Sequence, residues 1–226
     1  MNDAGVGRER AGIDALQLLE SHRRPAAALS HSTARIGDGN DCARRGIISF
    51  VNGIAVDLGV RVGQSASEAA MLMTSGTVTD CVPLDREEST RTSKLACKGS
   101  LVLTDSASLL SPEAADAIVI TGSHGGLVGG GSANAIKTEA RAAVFNDAGG
   151  GIDDAGYSRL PVLNARGIPA ATVSAWSARI GDAESTLRDG FISRLNVVAM
   201  ALGCEIGMCV QDFVDRVLEN NQGTTR

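Results

Sequence analysis

Aromatic residues are scarce in this chain: one Trp, one Tyr and four Phe among 226 residues. A hydrophobic core must therefore come from Ala, Val, Ile and Leu, and an apolar fraction of 43% is enough to supply one. No apolar run reaches eighteen residues, which excludes a helix long enough to span a bilayer. The opening MNDAGVGRERAG lacks the apolar core of a secretory leader. Five cysteines form no CxxC pair, which points to reduced thiols and a cytoplasmic protein. Cys204 and Cys209 read as small buried apolar residues. Charge is not concentrated anywhere, and the net value is −5, so neither a basic nucleic-acid footprint nor a polybasic membrane surface is expected. There is no GxxxxGK[ST] loop and no dinucleotide fingerprint, so neither a P-loop nucleotide nor NAD is expected.

What is present is repetition. ARIGD occurs at residues 34–38 and again at 178–182, an offset of 144 (178 minus 34). At that offset Asn2-Asp3-Ala4-Gly5 falls on Asn146-Asp147-Ala148-Gly149, and 27 of the 62 positions from Asn2 to Gly63 are identical without a gap. This is an internal duplication in a B–A–B layout. A copy covers residues 2–76, a single-copy segment follows, and a second copy covers 146–220.

Apolar spacing predicts a helix in ERAGIDALQLLESHRR and a short strand in AAALS. It also predicts one strong helix over RRGIISFVNGIAVDLG, where Ile47, Val51, Ile54 and Leu58 share a face, and its counterpart over FISRLNVVAMALG. On that second helix Ser193 and Asn196, matched by Ser49 and Asn52, fall on the polar side and suggest a symmetric contact or solvent. Residues 77–99 read as a linker with one short strand near Val78. Strands follow at SLVLTDS, AIVITGSHGG, AAVFNDAGGG and IPAATVSAW, alternating with helices at SPEAADA, ANAIKTEAR and GYSRLPVLNARG. The final helix is CVQDFVDRVLEN. Continuous apolar strands alternating with helices imply an α/β fold: a doubly wound, mostly parallel sheet covered on both faces. The expected organisation is a duplicated module at 1–76, the linker, and an α/β core at 100–226. The first copy would add a strand and helices to the same sheet or pack against its equivalent in another subunit.

Ligands of open parallel sheets bind outside the carboxyl ends of the strands. The polar clusters fall there. His124 would act as acid or base, and Asp105 or Asp147 would orient it or hold a divalent cation. The amides of Gly125, Gly126, Gly149 and Gly150, with Asn146, would receive an anion, or these glycines only permit tight turns. Ser106 and Ser123 are candidate nucleophiles or ligand residues, but no GxSxG elbow surrounds either, and helix capping or turn bonding is the favoured account of each. Arg179 would anchor the substrate, while ARIGD itself reads first as a salt-bridged loop.

The order strand–SHGG, strand–NDAGGG, helix, strand–VSAWSARIGD over residues 117–182 resembles the layout of the caspase-like peptidase core. In that family a His-Gly after one strand precedes a small-residue loop bearing the catalytic Cys. Here Ala148 stands at the Cys position, and His124 lies only 24 residues before it. The resemblance implies the layout without the peptidase chemistry. The function expected from the residues is a small-molecule enzyme, hydrolytic in type, acting on an anionic or amide-bearing metabolite and forming a homo-oligomer. The other class left open is a non-catalytic ligand-binding or assembly module.

Overall fold

The computed structural model describes residues 1–76, 89–95, 99–131 and 135–220. The N-terminal copy opens with a 3-10 segment, Arg8–Ile13, followed by α1 (Asp14–Ser21). β1 (Ala27–Leu29) pairs antiparallel with β2 (Ile48–Val51), and between them lies α2 (Gly39–Arg45). α3 (Gly53–Asp57) and α4 (Ala66–Met73) complete the unit. Its small core, Leu29, Ile48, Ala55, Val60 and Ala69, is separate from that of the main sheet. The expectation from sequence that the first copy adds a strand to the main sheet is therefore corrected. It forms its own two-stranded sheet, which Asn2 joins through a parallel bridge to Leu29.

The main sheet has six strands: β3 (Thr90–Leu95), β4 (Gly99–Thr104), β5 (Ile118–His124), β6 (Ala142–Asn146), β7 (Ala170–Val173) and β8 (Ile192–Leu195). β4 to β7 are parallel, and β3 and β8 are antiparallel edges. Successive side chains in a strand point to opposite faces. Leu101, Leu103, Ile118, Ile120, Val144 and Val173 thus share one face with Phe213, Val214 and Val217 of α8 (Val210–Asn220). Val102, Val119, Ala143 and Phe145 face Leu160 and Leu163 of α5 (Arg159–Ala165). Fully burying such a side chain contributes about 1.5–3 kcal/mol.

Both faces are covered, yet the strand order runs from β3 to β8 in sequence, without the reversal of a doubly wound sheet. The connections after β4, β5 and β6 all pack on the Phe145 face through Leu110, Ile136 and Leu163. Right-handed crossovers between sequential neighbours require this. The other face is closed by α6 (Ala183–Asp189) and α8.

Three local expectations are corrected. RRGIISFVNGIAVDLG and FISRLNVVAMALG are each a strand and a short helix, β2 with α3 and β8 with α7 (Val197–Ala201). The break is made by Asn52 and Asn196. Each Oδ1 caps the helix, accepting from Ala55 N at 3.0 Å or Ala199 N at 2.9 Å, and also accepts from Ala26 N or Ala170 N at 3.0 Å. Buried and fully engaged, these Asn side chains form no intermolecular surface. SPEAADA makes only a 3-10 turn at Pro112–Ala114, and residues 135–141 are irregular. The strand expected near Val78, like Ala133 and Asn134, lies outside the described residues.

Conformation recurs at the offset of 144. The 3-10 segments Arg8–Ile13 and Ile152–Tyr157 correspond, as do α2 with α6, β2 with β8 and α3 with α7. The copies also exchange equivalent contacts within the chain. Arg8 N donates to Ala175 O at 2.7 Å, and Ile152 N donates to His31 O at 2.8 Å. Arg35 bonds Asp153 as Arg179 bonds Glu9. Where the copies meet, a Cβ on Gly5 would lie 2.7 Å from Gly149 Cα. Both glycines have positive φ, 70° and 75°, so glycine is required twice over.

Candidate functional site

The residues expected to form one site are distributed over three places. At the end of β5, His124 holds its Nδ1 as acceptor for Gly126 N at 3.2 Å. The ring proton must then reside on Nε2, so the imidazole donates there and has no lone pair to offer as a base. Burial, with Arg159 nearby, pushes its pKa down to about 4. His124 is thus neutral at pH 7 and bonded to backbone. The glycine amides are also engaged: Gly125 N donates to Asn146 O at 2.7 Å, Gly149 N to Asp147 Oδ1 at 2.9 Å and Gly150 N to Asp147 O at 2.8 Å. They hold the turns and form no anion cradle. Close approach is their evident role, since a Cβ on Gly125 would lie 2.3 Å from Gly156 O.

Ser123 Oγ accepts from Ala107 N at 2.8 Å, and Ser106 caps the 3-10 turn Ala107–Leu109. Asp105 accepts from Ala183 N at 3.0 Å and from Ser89. Asp105 and Arg179 line an open cleft of about 1100 Å³ that both ARIGD loops border, Ile36–Asp38 on one side and Arg179–Asp182 on the other. Arg179 is paired with Glu9, Asp14 and Asp182, and Asp38 and Asp182 cap α2 and α6. With Asp14, Asp38, Asp105, Asp182 and Glu184 set against one arginine, the cleft is acidic and unsuited to an anion.

The third place is the junction between the copies, at the carboxyl ends of β1 and β6. Asn146 is buried there, with Oδ1 accepting from Ala148 N at 2.9 Å and Nδ2 donating to Ala178 O at 3.1 Å. Here stand residues that the sequence did not single out. His31 Nδ1–H donates to Asp3 Oδ1 at 2.8 Å, and Ser49 Oγ donates to Asp3 Oδ2 at 2.8 Å. Burial alone would raise the Asp3 carboxyl; the bonds from His31 and Ser49 outweigh it and hold the pKa low. The bond to Asp3 raises His31 against the opposing effect of burial, with Asp147 adding to the rise. The bond to Asp3 places the proton of neutral His31 on Nδ1, which leaves the Nε2 lone pair unengaged among the described residues. A Cβ on Gly149 would lie 3.3 Å from that Nε2, and one on Gly150 would lie 2.9 Å from the Tyr157 hydroxyl. The imidazole and the phenol thus approach consecutive glycines of one turn. Burial and then Asp147 raise the Tyr157 pKa, so its hydroxyl stays a donor.

Asp147 is the one expected catalytic residue at this junction. Its Oδ1 accepts from Gly149 N and Ala175 N, both at 2.9 Å, and Oδ2 has no hydrogen-bond partner among the described residues. The signal that could have revealed His31 is a difference between the copies: the offset sets it opposite Ala175. Among the described residues no group of three or more His, Cys, Asp or Glu is placed to hold a metal ion. No helix among them is long and apolar enough to cross a membrane. No family model, curated protein or solved structure matches the chain.

Proposed function

We propose that this protein is a small-molecule hydrolase whose general base is His31, working at the strand ends where two duplicated segments meet about an approximate two-fold axis. The observation that carries this reading is the Asp3–His31 pair. A buried carboxylate fixes the ring and its tautomer, and Nε2 lies against the glycine turn that follows Asp147. That is how a catalytic imidazole is oriented in acyl-transfer enzymes. The base moves from His124, whose tautomer donates only, to His31. Asp147 disfavours an anionic substrate, so the amide-bearing class is preferred.

In the proposed reaction water attacks the carbonyl carbon while Nε2 takes its proton. The Tyr157 hydroxyl donates to the developing oxyanion. The C–N bond then breaks, and the proton on Nε2 passes to the departing amine. The products are a carboxylic acid and an amine or ammonia. Phe191, Val197, Met200 and Ile206 are exposed apolar side chains that a homo-oligomer would cover.

Ammonia release from a panel of primary amides tests the proposal. The expected result is turnover that His31→Gln lowers by roughly 10²-fold or more, with Asp3→Asn also impaired. Equal rates in wild type and His31→Gln would remove His31 from the chemistry. A second reading, a non-catalytic ligand-binding module, draws support from the engaged glycine amides and the donor-only His124.

A further inference from the structure

Asp3 and Asp147 occupy equivalent backbone positions, and their Oδ1 atoms do equivalent work. Asp3 Oδ1 accepts from His31 N at 2.9 Å and Gly5 N at 3.2 Å; Asp147 Oδ1 accepts from Ala175 N and Gly149 N. Their other interactions differ. Asp3 has the His31 imidazole and the Ser49 hydroxyl. Asp147 has neither. Ala175 replaces the histidine, and Ser193, the equivalent of Ser49, is drawn aside. Its Oγ lies 3.0 Å from Thr172 Oγ1, whereas its bond to Thr172 O at 3.2 Å has a counterpart in the Ser49 bond to Ala28 O at 3.3 Å. Thr172 stands where the first copy has Ala28, which offers no side-chain oxygen.

The result is a carboxylate that is only 5% exposed and has one oxygen without a donor among the described residues. No side-chain oxygen among the described residues is both sealed from solvent and unpaired, so Oδ2 is open to an incoming group, and a cationic donor makes the strongest bond to a carboxylate oxygen. The oxygen lies at the same turn as His31 and Tyr157. We infer that Asp147 Oδ2 is a specificity determinant that receives the ammonium group of the substrate, so that the ligand class is a small amino-carbonyl compound such as an α-amino amide. This rests on the hydrolase reading for the fate of the carbonyl, while the ammonium contact stands or falls separately.

Binding distinguishes the two. The probes are alaninamide and propionamide, which differ by the amine, and the readout is the thermal midpoint of the full chain with each at saturation. Alaninamide is expected to raise Tm of the wild type by about 2 °C or more, and propionamide to leave it unchanged. His31→Gln should keep the alaninamide shift, because the base is not the ammonium ligand. Asp147→Asn should lose it while retaining Oδ1 for both amides. Thr172→Ala offers a second variant that leaves Asp147 untouched. It frees Ser193 to turn onto Oδ2, as Ser49 does on Asp3, and should weaken alaninamide binding at least tenfold. Equal shifts with alaninamide and propionamide, no shift with either, or an undiminished shift in Asp147→Asn would overturn the inference. Alaninamide binding without ammonia release would instead remove the hydrolase reading and leave the ammonium contact standing.

Discussion

Residues 2–63 and 146–207 share one backbone and differ in how their central carboxylate is used. In the first copy Asp3 is saturated, with an imidazole, a hydroxyl and backbone amides around it. In the second, Asp147 keeps the amides and has neither of the other two. Three side-chain differences separate these states: His31 against Ala175, Ala28 against Thr172, and Ile13 against Tyr157. The two stretches offer the same scaffold twice. The proposed base on one side and the open acceptor on the other need them to be unequal.

The shared backbone is most severely tested at Gly12 and Gly156. A Cβ would lie 2.2 Å from Asp3 O in one and 1.9 Å from Asp147 O in the other. Gly12→Ala and Gly156→Ala should each cost more than about 4 kcal/mol in urea unfolding, a loss of the exceptional class. Tolerance of either would break the equivalence. Next come the buried caps. Asn52→Ala and Asn196→Ala each remove a cap and leave backbone groups of the neighbouring strand unpaired, at a cost of about 3 kcal/mol. The two costs should agree within about 1 kcal/mol.

The histidines sharpen the comparison through pH. His31 is raised above 6.5 in the folded chain, so its contribution is present in full below 6.5 and fades as pH rises through the raised value. His124 is pushed down to about 4, so the unfolded chain binds its proton more readily, and stability falls as pH drops from 6.5 toward that value. In denaturation profiles, His31→Gln should remove a loss on the alkaline side and His124→Gln a loss on the acid side. The smallest effect belongs to the crossed ion pairs. Arg35→Gln and Arg179→Gln should each cost less than about 1 kcal/mol and become indistinguishable from wild type at high salt.

β4, β5, β6 and β7 were readable because each is built on a short apolar run bounded by turn residues. α2 and α6 were not. GNDCARR and AESTLRD bury Asp41, Ser185 and Thr186, polar residues that leave no apolar stripe. The helix spacing of Ile47, Val51, Ile54 and Leu58 was real but misleading, because a single capping Asn divides each such segment into strand and helix. The strand-end rule drew attention to Asp147, Gly149 and Gly150, which lie where residues 3–5 meet residues 147–151. His31 was missed because attention to matching positions passes over the ones that differ, and because its partner Asp3 lies 28 residues away in sequence. His124 looked suitable from its neighbours, while its tautomer depends on a backbone bond that no residue pattern reveals.

His31 and His124 hold opposite tautomers, and of these two His31 alone presents a lone pair at Nε2. Long-range proton–nitrogen NMR correlation spectra of the imidazole rings at a pH above the His31 titration read this directly. The account predicts a protonated Nδ1 and bare Nε2 for His31, reverting toward the free-imidazole tautomer mixture in Asp3→Asn, with a protonated Nε2 for His124. A protonated Nε2 on neutral His31, or a bare Nε2 on His124, would contradict it.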